Sequence, residues 1–173
     1  MAKQDELYQE AIDSFGPALE RLARGYESDS EKRRDLLQEI HVALWRSFSG
    51  FDGRCSLRTW VYRVAHNRAV SYLRWDRGRT AVPVLRIDEV EVPAATENWE
   101  VMVDRTRAQE RLLSLIHRLP PLDRQVIILY LEGIDAASIG EISGLSPTNV
   151  GTKIHRLKAA LIEGVRKGGN DVR

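Results

Sequence analysis

Apolar positions recur at helical spacing along most of this chain, and the places where that rhythm stops mark its joints. Leu7, Ala11, Phe15, Leu19, Leu22 and Tyr26 predict an amphipathic helix over 4–26, with Gly16-Pro17 a bend or break inside it. The stretch Tyr26–Ser30 reads as a turn in which Ser30 caps a second helix. That helix runs to about Phe48 and buries Leu37, Ile40, Leu44 and Phe48. Ser49-Gly50-Phe51-Asp52-Gly53 breaks the pattern. A third helix starts from a Ser56 cap and runs to about Arg77, with Leu57, Val61, Val64, Ala65 and Leu73 inward.

From about Thr80 to Asn98 the periodicity fails. Val82-Pro83-Val84 and Val92-Pro93-Ala94-Ala95, set among acids, predict an extended, solvated linker. The alternative, a strand over 82–92, would have no strand partner elsewhere in the chain. Helical spacing returns over 101–118 and stops at Leu119-Pro120-Pro121. It resumes from about Leu122 to Glu132, where Val126, Ile127, Leu129, Tyr130 and Leu131 make a helix apolar nearly all round, ending at Gly133. The expected fold is all-α: two small helical domains, 1–79 and 101–173, joined by an extended acidic linker over 80–100.

Residues 135–161 carry the sharpest local signal. Ile139, Ile142 and Leu145 give one short helix its apolar side, and Val150, Ile154, Leu157 and Leu161 do so for a second. Gly144 stands where the chain must take a left-handed turn, which a residue without a Cβ adopts cheaply. Ser146-Pro147 restarts the helix, the serine oxygen capping free amides and the proline lacking only an amide that had no partner. This is the pattern of a helix-turn-helix, whose second helix enters the DNA major groove. An ordinary helical hairpin is the plainer reading. Against it stand the outward Thr148, Asn149, Thr152, Lys153 and Arg156, groups that reach base edges and phosphates.

Composition narrows the class. A chain of 173 residues, 43% hydrophobic and 29% charged, fits one packed domain or two small ones. No run of about 18 apolar residues offers a membrane span, and Met1–Leu7 lacks the apolar core of a secretory signal. The single cysteine, Cys55, excludes an internal disulfide and a cysteine-rich zinc cluster. The four histidines are scattered without metal-ligand spacing, so neither metal nor cofactor is expected. A reducing cytoplasm is the expected location. The net charge of +1 hides segregation. Arginines crowd 54–79, acids crowd 88–104, and bases return over 153–167. Two basic blocks flanking an acidic one point to two nucleic-acid contacts and a linker that avoids them.

On the third helix, the side turned away from the core displays Arg58, Tyr62, Arg63, His66, Asn67, Ser71 and Arg74. Cations for phosphates, rings for bases and an amide for a base edge suit unstacked single-stranded DNA, although a merely solvated basic face has the same composition. On the second helix Asp35, Gln38, Glu39, Val42 and Arg46 share a face too polar for a core, which fits either solvent or a protein-docking surface. No phosphate-cradling glycine loop, nucleophile–histidine pair or carboxylate cluster emerges, so an enzyme is not expected.

Taken together these pieces resemble a known family over nearly the whole chain. Asp35-Leu-Leu-Gln-Glu-Ile-His-Val-Ala-Leu-Trp-Arg, then Phe51-Asp-Gly, then Leu57-Arg-Thr-Trp-Val-Tyr-Arg-Val-Ala-His-Asn-Arg-Ala resemble region 2 of the extracytoplasmic-function (ECF) sigma factors of the sigma-70 family. Leu119-Pro-Pro-Leu through Leu161 resembles their region 4. The resemblance implies a promoter-recognition subunit that borrows the catalytic core of RNA polymerase. The face of Asp35, Gln38, Glu39, Val42 and Arg46 would dock on the clamp helices of the β′ subunit, with the β subunit a further contact. The loop 51–56, with Phe51, Asp52, Gly53 and Arg54, would pocket a flipped base of the −10 element. Tyr62, Arg63, Asn67, Ser71 and Arg74 would hold the non-template strand. The helix from Pro147 would read the −35 duplex through Ser146, Thr148, Asn149, Thr152, Lys153 and Arg156. The linker would thread toward the polymerase channels, and an anti-sigma factor is an implied partner.

Two departures limit what carries over. Where the family usually has Glu-Ile-Ala, this chain has Ser138-Ile139-Gly140, and Asn149 with Thr152-Lys153 differs from the commoner small-and-arginine pattern. The −35 sequence therefore cannot be borrowed. A stand-alone helix-turn-helix repressor or activator is the competing expectation, but it lacks an obvious dimerisation helix. A protein-only adaptor would leave both basic faces unexplained.

Overall fold

The computed structural model describes residues 2–76 and 105–170. The expected linker, 80–100, and the alternative strand lie outside the described residues. Helix α1 spans Ala2–Tyr26 without interruption, Pro17 included. Pro17 and Asp13, whose carbonyl loses its partner, are both exposed, so water can serve the freed group and the helix continues.

Helix α2 covers Ser30–Ser47 and ends in a single 3-10 turn, Phe48–Gly50. Its cap is Asp29 rather than Ser30. The Asp29 carboxylate accepts from the amides of Glu31 (3.0 Å) and Lys32 (2.9 Å), which holds its pKa below the ordinary value. The buried stripe runs through Leu36, Ile40 and Leu44, spaced four apart, and leaves Leu37 only half-buried. The expected face was thus rotated by one residue at its start.

Helix α3, Leu57–Asp76, begins as expected, with the Ser56 hydroxyl accepting from the Thr59 amide at 3.1 Å. Its buried positions are Thr59, Val61, Tyr62, Ala65, His66, Ala69 and Leu73. Tyr62 and His66, expected on the displayed side, therefore face inward.

The second set comprises α4 (Arg105–His117), α5 (Pro121–Leu131), α6 (Ala136–Ser143) and α7 (Pro147–Asn170). Pro121 opens α5 at a position needing no amide, and α5 buries Val126, Ile127, Ile128 and Leu129. Leu131, expected within its apolar surround, is exposed. Asp135 caps α6 through the Ser138 amide at 3.0 Å. Gly144 follows with φ +80°, the left-handed turn its sequence position requires.

The two helical sets do not stand apart. Helix α1 packs on α4 and α5, and α3 packs on α5 and α6. One continuous core runs from Ala11, Leu19 and Tyr26 through Tyr62 to Val126, Ile139 and Leu161. Arg124, 5% exposed, ties the sets together. It donates to the Tyr26 carbonyl at the end of α1 (3.2 Å), to those of His117 and Leu119 at the end of α4, and lies over the Tyr26 ring. A cation there meets the partial negative charge where two helices end.

Candidate nucleic-acid interface

The turn at Gly144 and the restart at Ser146, whose hydroxyl accepts from the Asn149 amide at 3.2 Å, set the direction of α7. Val150, Leu157 and Leu161 go into the core while Thr148, Asn149, Thr152 and Arg156 stand exposed on the other side. Ser146 is exposed beside them. Lys153 differs from the rest. It is half-buried, and its ammonium lies 2.5 Å from the Asp123 carboxylate of α5. Asp123, Leu145, Asn149, Thr152 and Arg156 line a shallow groove with it.

Gly140 explains one departure of this motif. A Cβ at that position would lie 2.6 Å from the Leu145 carbonyl oxygen, so the turn closes onto α6 more tightly than a side chain allows.

At the other end, the 51–56 loop is built by its own residues. Asp52 accepts from the Arg54 amide at 3.1 Å and pairs with its guanidinium at 3.0 Å, and Gly53 takes φ +76°. Phe51 is half-buried, edge-on to Phe48 and Trp60 at centroid distances of 6.3 and 5.3 Å. Asp52, Gly53 and Arg54 are exposed. On α3, Asn67, Ser71 and Arg74 fall on one exposed stripe at spacings of four and three. Of the remainder of the expected single-strand face, Tyr62 and His66 are buried, Arg63 is half-buried and Arg58 stays exposed. Tyr62 is 2% exposed, and burial first, Glu132 second, push its phenol above the ordinary pKa. Arg58 donates to the Glu132 carbonyl (3.2 Å) and Arg63 to the Glu141 carbonyl (3.4 Å).

On α2, Asp35, Gln38, Val42 and Arg46 are exposed, Val42 at 48%. Glu39 is half-buried and bound by Arg68 of α3 at 2.7 and 3.0 Å. Asp35, Gln38 and Val42 thus form a free acidic and apolar patch flanked by an internal ion pair.

Sequence reasoning missed Arg21, Glu132 and Arg124. Glu132 accepts both Nε (2.7 Å) and Nη2 (2.8 Å) of Arg21, a planar fork on a carboxylate. These residues lie more than a hundred positions apart, and no periodicity links them. Among the described residues no group of three His, Cys, Asp or Glu could hold a metal ion, and no helix is long and apolar enough to cross a membrane.

Comparison with known proteins agrees with this geometry. The Sigma-70 region 2 family matches residues 11–79 and the Sigma-70, region 4 family matches 109–161, in that order. The chain is 28% identical over 172 residues to the ECF RNA polymerase sigma factor SigE of Mycolicibacterium smegmatis, covering 99% of this chain and 65% of that protein. It is 26% identical to ECF sigma factor SigW of Bacillus subtilis, covering 93% and 90%. The solved structure of sigma factor RpoE in complex with the anti-sigma factor NepR from Bartonella quintana shares the fold. Its TM-score is 0.66 at 21% identity, covering 92% of this chain and 96% of that one. With both regions present in order on an all-helical scaffold, the chain belongs to the sigma-70 family, as an ECF RNA polymerase sigma factor.

Proposed function

We propose that this protein acts in the cytoplasm as a transcription initiation factor. It binds core RNA polymerase through α2, opens and holds the −10 element with the 51–56 loop and α3, and reads the −35 duplex with α7. It performs no reaction of its own, since phosphodiester synthesis belongs to the polymerase. The observation that supports this reading is the coexistence, in one chain, of an exposed acidic and apolar α2 patch, suited to a protein, and an exposed polar and basic α7 face, suited to duplex DNA. A stand-alone repressor would need only the second.

The residues divide by chemistry. Asn149, Thr152 and Arg156 offer hydrogen-bonding groups to base edges and phosphates, with Ser146 and Thr148 beside them at the start of the helix. Asp52–Arg54 offers an exposed turn beside an aromatic floor, and Asn67, Ser71 and Arg74 continue it along α3. An anti-sigma factor is the expected regulator, on the pattern of the RpoE–NepR complex.

Pull-down of core polymerase tests the reading. Asp35→Lys with Val42→Glu alters two exposed side chains, whereas changing Glu39 would also break its pair with Arg68. Lost partners at a buried charged contact typically cost about 2–5 kcal/mol. The double variant is therefore expected to lose core polymerase while its circular dichroism stays unchanged. Undiminished binding places the docking surface elsewhere.

A further inference from the structure

Glycine in the interior of an exposed helix lowers the folding equilibrium about five-fold relative to alanine, a cost that close packing or a bound surface can offset. Packing accounts for Gly25, Gly140 and Gly164. A Cβ there would lie 2.6 Å from Ile128, 2.6 Å from the Leu145 carbonyl oxygen and 2.8 Å from Leu115 respectively. Gly151, in the first half of α7, has no such neighbour. It is exposed, and beyond its own stretch of helix no atom of the described residues lies within 4 Å of where its Cβ would stand.

The position of this bare spot is specific. At about 100° per residue, Thr148 and Thr152 point directly away from the core side of α7, which Val150 and Leu157 define. Gly151 lies on one flank of that outward face, and Asn149 and Lys153 lie on the other. The outward side chains are short. The Thr152 hydroxyl donates to the Thr148 carbonyl at 3.1 Å, which leaves its oxygen lone pairs and its methyl group for an outside partner. His155 is exposed one turn beyond Gly151. A helix with its side chains is about 10–12 Å across and the major groove about 12 Å wide, so a flanking side chain decides how far the helix can enter.

We propose that Gly151 sets the depth at which α7 enters the major groove, and through that depth which bases are read. With no side chain on that flank, the short Thr148 and Thr152 reach base edges. The His155 imidazole stands beside them as a further reader, able to donate and to accept. A side chain at 151 holds α7 off the groove floor and leaves the threonines short of the bases. This inference deepens the initiation-factor reading and rests on it.

Full-length chains carrying Gly151→Ala or Gly151→Leu, both uncharged and in order of size, test it beside Arg156→Ala. Each is combined with purified core polymerase and offered a pool of random-sequence duplexes. The duplex that the wild type enriches then serves as the affinity probe, and urea unfolding of the free chain reads stability. Alanine and leucine are better helix formers than glycine, so both variants are expected to fold more firmly, by about five-fold for Gly151→Ala. Both are nevertheless expected to bind the wild-type duplex more weakly and to enrich an altered sequence. The loss should reach about five-fold or more for alanine, comparable to one mismatched base pair, and be larger for leucine. Stability and binding that move in opposite directions exclude a folding defect. The inference is overturned if both variants bind and select as the wild type does. It is overturned equally if they bind weakly because they are less stable, since the fold would then need the glycine. Weakened Arg156→Ala beside unchanged Gly151 variants confines the failure to this inference. A wild type that enriches no duplex contradicts the initiation-factor reading itself, and the inference with it.

Discussion

His66 is wholly buried, its Nδ1 2.7 Å from the Tyr26 hydroxyl, and its Nε2 has no hydrogen-bond partner among the described residues. Burial lowers its pKa from 6.5 to about 3. The folded form thus favours the neutral imidazole, and the unfolded form takes up the proton first. Stability is full above about pH 6.5 and falls as pH drops from there toward 3, by about 1.4 kcal/mol per pH unit in that window. Urea unfolding at pH 7.5 and 5.0 should show the loss. His66→Gln, which does not titrate, should flatten it, and equal slopes in both proteins would show that another group is responsible. Gly140→Ala acts at the same scale. Its Cβ would meet a backbone oxygen rather than a yielding side chain, so the turn must shift. A cost of about 1–3 kcal/mol is expected by denaturant unfolding. A neutral substitution would mean that the turn is looser than described.

At the scale of elements, the helix-turn-helix was the most legible part of the sequence, because glycine, serine and proline act locally. Gly144 and Ser146 do what their chemistry dictates, at the positions where they stand. Partner selection across the fold was not legible. Lys153 has the spacing of a groove residue, yet it is engaged by Asp123, thirty residues earlier. Tyr62 and His66 look like a displayed aromatic pair, but α3 is buried on two sides, by α1–α2 and by α5–α6, so an amphipathic reading with one buried face misplaces them. The α2 stripe began one residue early for a similar reason: Leu36 and Leu37 are both leucines, and only packing selects Leu36. The Asp123–Lys153 pair makes a test of α7. Asp123→Asn frees a cation at the groove, so affinity for −35 duplex should rise and the slope of log K against log salt should steepen by about one unit. Arg156→Ala should do the reverse. Unchanged slopes in both would mean that α7 does not face the phosphates.

For the whole molecule, the sequence order of two basic blocks and an intervening acidic stretch predicted two halves, in keeping with the separate family matches over 11–79 and 109–161. It carried no sign that they share a core, because Arg21–Glu132 and Gly25–Ile128 join residues more than a hundred positions apart, where no periodic pattern reaches. The exposed α2 patch and the exposed α7 face underlie the proposal that this factor engages promoter DNA together with polymerase. Run-off transcription on a genomic fragment library with purified core polymerase tests that claim most directly. Discrete start sites should arise only when this protein and core polymerase are both present, and duplex binding by the protein alone should be weak. Tight duplex binding without polymerase, together with no start site that depends on the protein, would contradict it and favour a stand-alone repressor.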